Sequence, residues 1–228
     1  MEAETILKLQ KRTDQAFEKK SARGRPRQID EAERRKILIE AAEKVFVDVG
    51  YSAASVDDIA KQAGMSKKTL YQLFEAKEDL FTAVIAERRA ALTATIQTEC
   101  CDDALAPAEE LRTFLGQVAR FVLAKRQAAL YRLVIAESQR APELARAFYQ
   151  EGPSKVRSAL LQWLQQKHEG KELVVPDPDC AASMLCSMVI GEPQMRLLIG
   201  DMHEPEEAAI AERVEKAVAL FLEGTLPR

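Results

Sequence analysis

The amino-acid sequence predicts an all-α protein, with a compact three-helix unit followed by a larger helical bundle. Apolar residues recur at intervals of three and four in successive segments, as they do on one face of a helix. No segment shows the sustained apolar–polar alternation that is typical of a half-buried strand. The 228 residues include only 9 Gly and 9 Pro, which are too few turn residues for a sandwich or barrel of many strands.

The first predicted helix covers residues 30–49. Asp30 is placed to cap its start, and Glu33 three residues later completes a capping box. Gly50 stands where a left-handed residue ends a helix, because glycine adopts that conformation without a steric penalty.

Three further helices are predicted before residue 100. The second helix is short and covers 55–62, and a tight turn follows at 63–65. Ser66 can then cap a third helix over 67–74. A fourth helix is expected over about 76–99.

The rest of the chain is predicted to form a linker and five more helices, namely 100–107 as the linker and helices at about 108–124, 127–138, 142–167, 178–199 and 205–223. Pro142 and Pro178 suit first turns, where a missing N–H does no harm. Gly191 and Pro193 should disturb the helix that contains them, because the proline leaves the carbonyl of Val189 without its helical donor.

Charge is distributed unevenly along a chain whose formal net charge is −3. Residues 1–28 contain eight basic and four acidic residues, so this segment carries +4 and the remainder carries −7. A basic arm on an acidic body suits contact with a polyanion, although charge alone fits a solvated tail equally well. Residues 1–20 fit either an amphipathic helix or an extension without regular structure.

Residues 55–80 carry the most informative pattern, since two short helices joined by a glycine turn are typical of a helix-turn-helix reader of DNA. In the second of these helices Leu70, Leu73 and Phe74 share a face that must pack inward. The side chains left outward have the chemistry that suits phosphates and base edges: Lys67, Lys68, Thr69, Tyr71 and Gln72. The alternative is a helical hairpin with a polar face toward solvent.

Over about residues 37–81 the sequence resembles the N-terminal domain of the TetR family of bacterial transcriptional regulators, including the segments AAEKVF, GY and KKTLYQLF. The resemblance implies that the third helix enters the major groove of operator DNA through the five outward residues given above. It also implies phosphate contacts by Lys77, at the start of the fourth helix, and by Ser55, at the start of the second.

The resemblance implies three domains along the chain. Residues 1–28 would form a basic N-terminal arm, 29–81 the DNA-binding domain, and 82–228 a helical regulatory and dimerisation domain. Arg25 and Arg27 belong to a GRPR segment similar to the arm of many family members. Such an arm can enter an A·T-rich minor groove, whose negative potential attracts arginine.

Beyond residue 81 the resemblance is looser, and the run 131–153 resembles the AefR-like subgroup of C-terminal domains. The family pairs through its last two helices, which implies an interface containing Leu185, Met188, Val214, Val218 and Phe221. A small effector would bind among the middle helices, where the candidate lining residues are Phe114, Gln117, Phe121, Tyr131, Phe148, Trp163 and Met188. Aromatic and sulfur side chains also fill the cores of helical bundles without any ligand.

Other functional classes find little support in the sequence. It contains no HExxH pair, no glycine-rich phosphate loop and no GxSxG elbow, so neither an enzyme nor a bound cofactor is predicted. The spacing of the four cysteines does not suit a zinc site. No signal peptide or membrane-spanning run is evident, which predicts a cytoplasmic protein.

The predicted function is therefore a dimeric, ligand-responsive regulator of transcription. In this family such a protein is most often a repressor, released from an inverted-repeat operator by a small-molecule effector. Two alternatives remain: a regulator that senses redox state through cysteine thiols, and a helical adaptor that binds proteins without specific DNA binding.

Overall fold

The computed structural model describes residues 30–99 and 106–225, and each regular element in these ranges is a helix. In chain order the elements are α1 (Glu31–Val49), α2 (Val56–Gln62), α3 (Lys67–Tyr71), α4 (Lys77–Glu99), α5 (Pro107–Leu123), α6 (Lys125–Glu137), α7 (Pro142–Glu151), α8 (Pro153–Glu169), α9 (Pro178–Cys186), a π-helical turn (Ser187–Gly191), α10 (Glu192–Ile199) and α11 (Glu207–Thr225). The all-α prediction is confirmed. The predictions for Arg25, Arg27 and residues 100–105 lie outside the described residues.

The chain divides into two units between Arg35 and Lys36. Within the described part of the first unit, the Asp30 carboxylate accepts the N–H of Glu33 at 2.7 Å and so caps α1. Helix α1 ends before Gly50, whose φ of +87° is the left-handed conformation expected there.

Caps also define the starts of α2 and α3. The side chain of Ser55 accepts the N–H of Asp58 at 3.1 Å, and the Asp58 carboxylate accepts the N–H of Ser55 at 3.3 Å. The hydroxyl of Ser66 accepts the N–H of Thr69 at 3.1 Å. Gly64, with φ of +66°, makes the turn between the two helices. The helix-turn-helix geometry expected from the sequence is thus fixed by local hydrogen bonds.

Helix α3 ends earlier than predicted. The N–H groups of both Leu73 and Phe74 donate to the carbonyl of Leu70, at 3.0 and 2.9 Å. The N–H of Leu73 therefore bonds three residues back instead of four, which tightens the last turn beyond Tyr71 and ends the regular helix.

The single helix predicted over 142–167 is wrong, because the chain breaks into α7 and α8 at Gly152. Pro153 has no N–H to continue the helical ladder. A Cβ on Gly152 would lie 3.0 Å from the carbonyl oxygen of Phe148, four residues earlier in α7, so a larger residue would be crowded at this break.

A disturbance near Gly191 is present, as the sequence predicts. It takes the form of the π-helical turn Ser187–Gly191, after which α10 continues with Pro193 in its first turn. A π turn adds one residue to a helical turn without breaking the chain's direction, and such turns are frequent at functional sites.

Buried side chains form two clusters. The first joins α1–α4 to α6 and α7, and at its centre the rings of Phe46, Tyr51 and Phe81 lie 5.3–5.9 Å apart. The second joins α5 and Ala128 of α6 to α8–α11. Because Leu130 and Phe148 of α6 and α7 belong to the first cluster, the helix-turn-helix shares its core with the following helices.

Candidate DNA-binding surface and ligand cavity

Helix α3 presents one buried and one exposed face. The side chain of Leu70 is fully buried, whereas that of its neighbour Tyr71 is 52% exposed. Lys68 and Gln72 are exposed as well. An ammonium group, a phenol and an amide therefore lie together on the surface of the second helix of a helix-turn-helix, where they can bind phosphates or base edges.

Three other predicted DNA contacts already have intramolecular partners. The ammonium of Lys67 lies 2.6 Å from the Asp57 carboxylate, and this hydrogen bond raises the pKa of Lys67. The hydroxyls of Thr69 and Ser66 lie 2.9 Å apart. The side chain of Ser55 is engaged in the capping box of α2. DNA contacts by these residues require exchange of the present partners.

Lys77 holds the loop between α1 and α2. Its ammonium donates to the carbonyls of Tyr51 and Ala54, at 2.9 and 3.1 Å, and lies 4.4 Å from the centroid of the Tyr51 ring. An ammonium has three donors, so one remains for a phosphate. The role of Lys77 as a phosphate ligand stays a prediction, and its contact with the loop is an additional role that the sequence did not indicate.

A cavity of about 180 Å³ lies among α4–α9 and the π-helical turn. Three of the predicted lining residues border it, namely Phe121, Tyr131 and Phe148, while Phe114 borders a neighbouring cavity. Three others do not border it, for reasons visible in the fold. The indole of Trp163 donates to Glu110, Gln117 is buried elsewhere, and Met188 packs against the second core cluster.

Three basic residues that were not predicted also line the cavity, namely Arg88, Arg89 and Arg157. A signal for one of them is present in the sequence. Ile85, Arg89 and Leu92 follow the i, i+4, i+7 spacing of one helix face, so a basic residue interrupts an apolar stripe. A basic residue at such a position indicates a polar interaction inside the bundle.

Arg88 connects the cavity to helix α1. Its guanidinium donates twice to the side-chain oxygen of Gln127, at 3.3 and 3.2 Å, and lies 3.8 Å from the carboxylate of Glu43. Glu43 is itself buried and accepts two hydrogen bonds from Arg126, at 2.7 and 2.5 Å. Burial lowers the pKa of Arg88, while the charge of Glu43 opposes that shift.

Helix α6 provides a second connection. Its last residue, Glu137, accepts hydrogen bonds from both the N–H and the hydroxyl of Ser52, in the loop between α1 and α2. The same helix lines the cavity with Gln127, Leu130 and Tyr131. Cavity and helix-turn-helix are therefore joined through α4 and through α6.

The predicted dimer residues occupy different environments. Leu185, Val214 and Val218 are buried inside the second core cluster of the chain itself, while Met188 and Phe221 are partly buried against it. A side chain that is fully buried in one chain cannot supply contact area to another. The exposed apolar side chains on α9, α10 and α11 are instead Met184, Met195, Ile199 and Leu220.

Two cysteines lie within the described residues, Cys180 on the surface and Cys186 beside the cavity. Burial raises the pKa of the Cys186 thiol, which lowers the fraction of reactive thiolate. Cys100 and Cys101 lie outside the described residues.

Residues 30–99 and 106–225 contain neither a candidate metal site nor a candidate membrane span. No group of three or more His, Cys, Asp or Glu side chains there could hold a metal ion. None of the helices in these ranges is long and apolar enough to cross a membrane.

A helix-turn-helix that shares its core with a cavity-containing bundle defines a one-component transcriptional regulator. Two family models agree with this architecture: residues 38–84 match the bacterial regulatory proteins of the TetR family, and residues 109–224 match the C-terminal domain of AefR-like transcriptional repressors. The chain belongs to the TetR family, and the predicted AefR-like C-terminal domain is confirmed.

Individual relatives support the same assignment. The transcriptional activator FasR of Mycolicibacterium smegmatis is 49% identical over 70 residues, which is 30% of this chain and about a third (32%) of that protein. The crystal structure of a TetR-family regulator from Mesorhizobium loti is similar over 86% of this chain and 98% of that one, with a TM-score of 0.75 and 25% identity. The structure of the flavonoid-responsive regulator FrrA covers 86% of this chain and 99% of its own, with a TM-score of 0.70 and 33% identity.

Proposed function

We propose that the protein binds an inverted-repeat operator as a homodimer and represses transcription until a small molecule occupies the cavity. The observation that carries this proposal is the surface of α3, where Lys68, Tyr71 and Gln72 are exposed beside the buried Leu70. An exposed polar helix surface by itself would also suit an adaptor. Here the helix follows a glycine turn in a helix-turn-helix, and that context favours DNA binding.

The exposed apolar side chains of α9–α11 support the homodimer. Met184, Met195, Ile199 and Leu220 are each at least 60% exposed in the single chain, and burying them between two chains is favourable. A two-fold pair presents two α3 helices to successive major grooves about 34–36 Å apart, which is why the operator should be an inverted repeat.

The connection from cavity to α1 supports the ligand response. Arg88 borders the cavity and faces Glu43 of α1, and α4 begins at Lys77, which holds the loop before α2. A ligand that moves α4 would therefore change the placement of the helix-turn-helix. The ligand can shift this placement only if its affinity differs between the DNA-binding arrangement of the protein and the released one. The name of FrrA describes a small-molecule response in a relative with the same fold.

The test begins with selection of bound fragments from a genomic DNA pool, followed by anisotropy titrations at several salt concentrations. We expect an inverted repeat, two chains per site and an affinity that falls steeply with salt. A reporter gene behind the selected site should be less active when the protein is present, whereas increased expression would support activation, the activity named for FasR. Failure to enrich any sequence, together with salt-independent binding, would favour the adaptor.

A further inference from the structure

The charges that border the cavity are unbalanced. Arg88, Arg89 and Arg157 line it, and no Asp or Glu does so among the described residues. A second cavity of about 330 Å³ shares Arg89, Leu92 and Val156 with the first and adds Lys155, again with no acidic residue among the described lining. A bound molecule in this region therefore meets basic and apolar side chains and no carboxylate of the described lining.

Two of the three guanidinium groups have acidic or amide partners, and the third has an unpartnered nitrogen. Arg88 is held by Gln127 and faces Glu43, and Arg157 forms an ion pair with Asp179. The Nε atom of Arg89, in contrast, is buried and has no hydrogen-bond partner. A buried donor without an acceptor is unfavourable, so its retention needs an explanation. An acceptor supplied by a ligand provides one.

The rest of the cavity is hydrophobic and small. Apolar side chains such as Ile85, Leu92 and Phe121 dominate its lining, and the rings of Tyr131 and Phe148 meet edge to face at 4.7 Å. Its volume of about 180 Å³ exceeds the roughly 150 Å³ of an apolar cavity that admits benzene. One ring or a short chain therefore fits.

We propose that the effector is a small hydrophobic carboxylic acid, whose carboxylate binds Arg89 and whose apolar body fills the cavity. The identification as an effector rests on the proposed function, but the binding site does not. The carboxylate accepts the unpaired N–H of Arg89 in a charge-assisted hydrogen bond, which is stronger than one between neutral groups. Arg89 lies where the two cavities meet, so the acid group would sit at their junction.

The test compares acids with their uncharged amides by calorimetry on the full chain without DNA. The pairs are benzoate with benzamide, 4-phenylbutanoate with its amide, and octanoate with octanamide. We expect at least one acid to bind about tenfold to a hundredfold more tightly than its amide. If every amide binds as well as its acid, or if no acid binds, the proposal is overturned.

Variants at position 89 test whether the preference for the acid over its amide depends on Arg89. Arg89→Met and Arg89→Gln should abolish the preference for acid over amide while leaving the amide affinity unchanged. Because the Nε of Arg89 has no partner, neither substitution should lower the melting temperature. Arg146→Met removes the same charge from an exposed position on α7 and serves as the control. A preference that survives both Arg89 substitutions would overturn the assignment.

The same acids added to an operator complex separate this inference from the proposed function. Acid binding through Arg89 without any change in operator affinity would uphold the site and contradict the proposed response. Release of the operator by the amide as readily as by the acid would uphold the response and contradict the preference for an anion.

Discussion

Two neighbouring residues on α3 have different roles, one in the core and one on the proposed DNA-binding surface. Leu70 is fully buried and Tyr71 is 52% exposed, although the two are adjacent in sequence. Truncation of a buried leucine typically costs about 2–5 kcal/mol of stability, whereas exposed positions away from special features tolerate change. Tyr71 can therefore be tested for DNA contact without loss of the fold.

We expect Tyr71→Ala to weaken operator binding by roughly 1–3 kcal/mol while the melting temperature stays close to that of the wild type. Anisotropy titration and thermal melting measure the two quantities. Val174→Ala is a control, since Val174 is 47% exposed between α8 and α9 and distant in sequence from the helix-turn-helix. Equal losses of affinity in both variants would contradict a specific contact by Tyr71.

Sequence periodicity was sufficient to predict which side chains of α3 face inward, because that depends only on local helix geometry. The ion pair of Lys67 with Asp57 was not predictable in this way, since it joins two helices across a turn. The same holds for Arg89. Its spacing relative to Ile85 and Leu92 is visible in the sequence, but the absence of a hydrogen-bond partner for its Nε depends on the helices that enclose the cavity.

At the scale of elements, α5 and α8 are joined by a partly buried polar contact. Glu110 of α5 accepts hydrogen bonds from the indole of Trp163 at 2.5 Å and from the ammonium of Lys167 at 2.9 Å. Burial raises the pKa of Glu110. The two hydrogen bonds and the charge of Lys167 together lower it by more, so the net shift is downward. The carboxylate form therefore stabilises the fold.

The stabilisation by Glu110 should depend on pH. A carboxyl group with a lowered folded pKa contributes above its ordinary value of 4.5 and loses that contribution as the pH falls through the lower folded value. We expect Glu110→Gln to reduce the free energy of unfolding by roughly 1 kcal/mol at pH 7 and by less below pH 4. Urea unfolding at several pH values checks this, with Glu109→Gln on the same helix as control. A penalty independent of pH would rule out the carboxylate as its source.

Helix boundaries show where sequence patterns are sufficient. The starts of α2 and α3 were predictable because Ser55 and Ser66 cap them through hydrogen bonds within three residues. The break between α7 and α8 was not predicted, although its signal is also local: Gly152 is followed by Pro153, which has no N–H to continue the helix.

At the scale of the whole molecule, dimerisation can be tested on a residue that the single chain does not need. Leu220 is 63% exposed on α11, so Leu220→Glu should leave the fold intact while placing a charge in the proposed interface. We expect monomers in sedimentation analysis and weaker operator binding. Ile135→Glu, at a position 58% exposed on α6, controls for the added charge. A Leu220→Glu protein that remains dimeric would place the interface elsewhere.

Coupling between cavity and operator must be reciprocal. If an acid lowers operator affinity by some factor, the operator must lower acid affinity by the same factor, which is expected at about 5–150-fold. Calorimetry of the acid with free and operator-bound protein measures the second factor. Glu43→Gln weakens the contact between Arg88 and α1, so it should reduce both factors together. Unequal factors would indicate a second binding site.

The exposed ion pair between Lys67 and Asp57 has a consequence for the search through a genome. Both side chains are more than half exposed, and such pairs contribute little stability, so a phosphate can replace Asp57 at small cost. Yet the carboxylate of Asp57, once displaced from Lys67, stays close to the DNA. It repels the phosphates of any DNA, whatever the base sequence. Regulators compete with millions of random sites, and their useful occupancy depends on the ratio of operator to random affinity. Asp57→Asn should therefore tighten binding to random DNA and leave more of the protein on unrelated sites, as competition titrations with genomic DNA would measure.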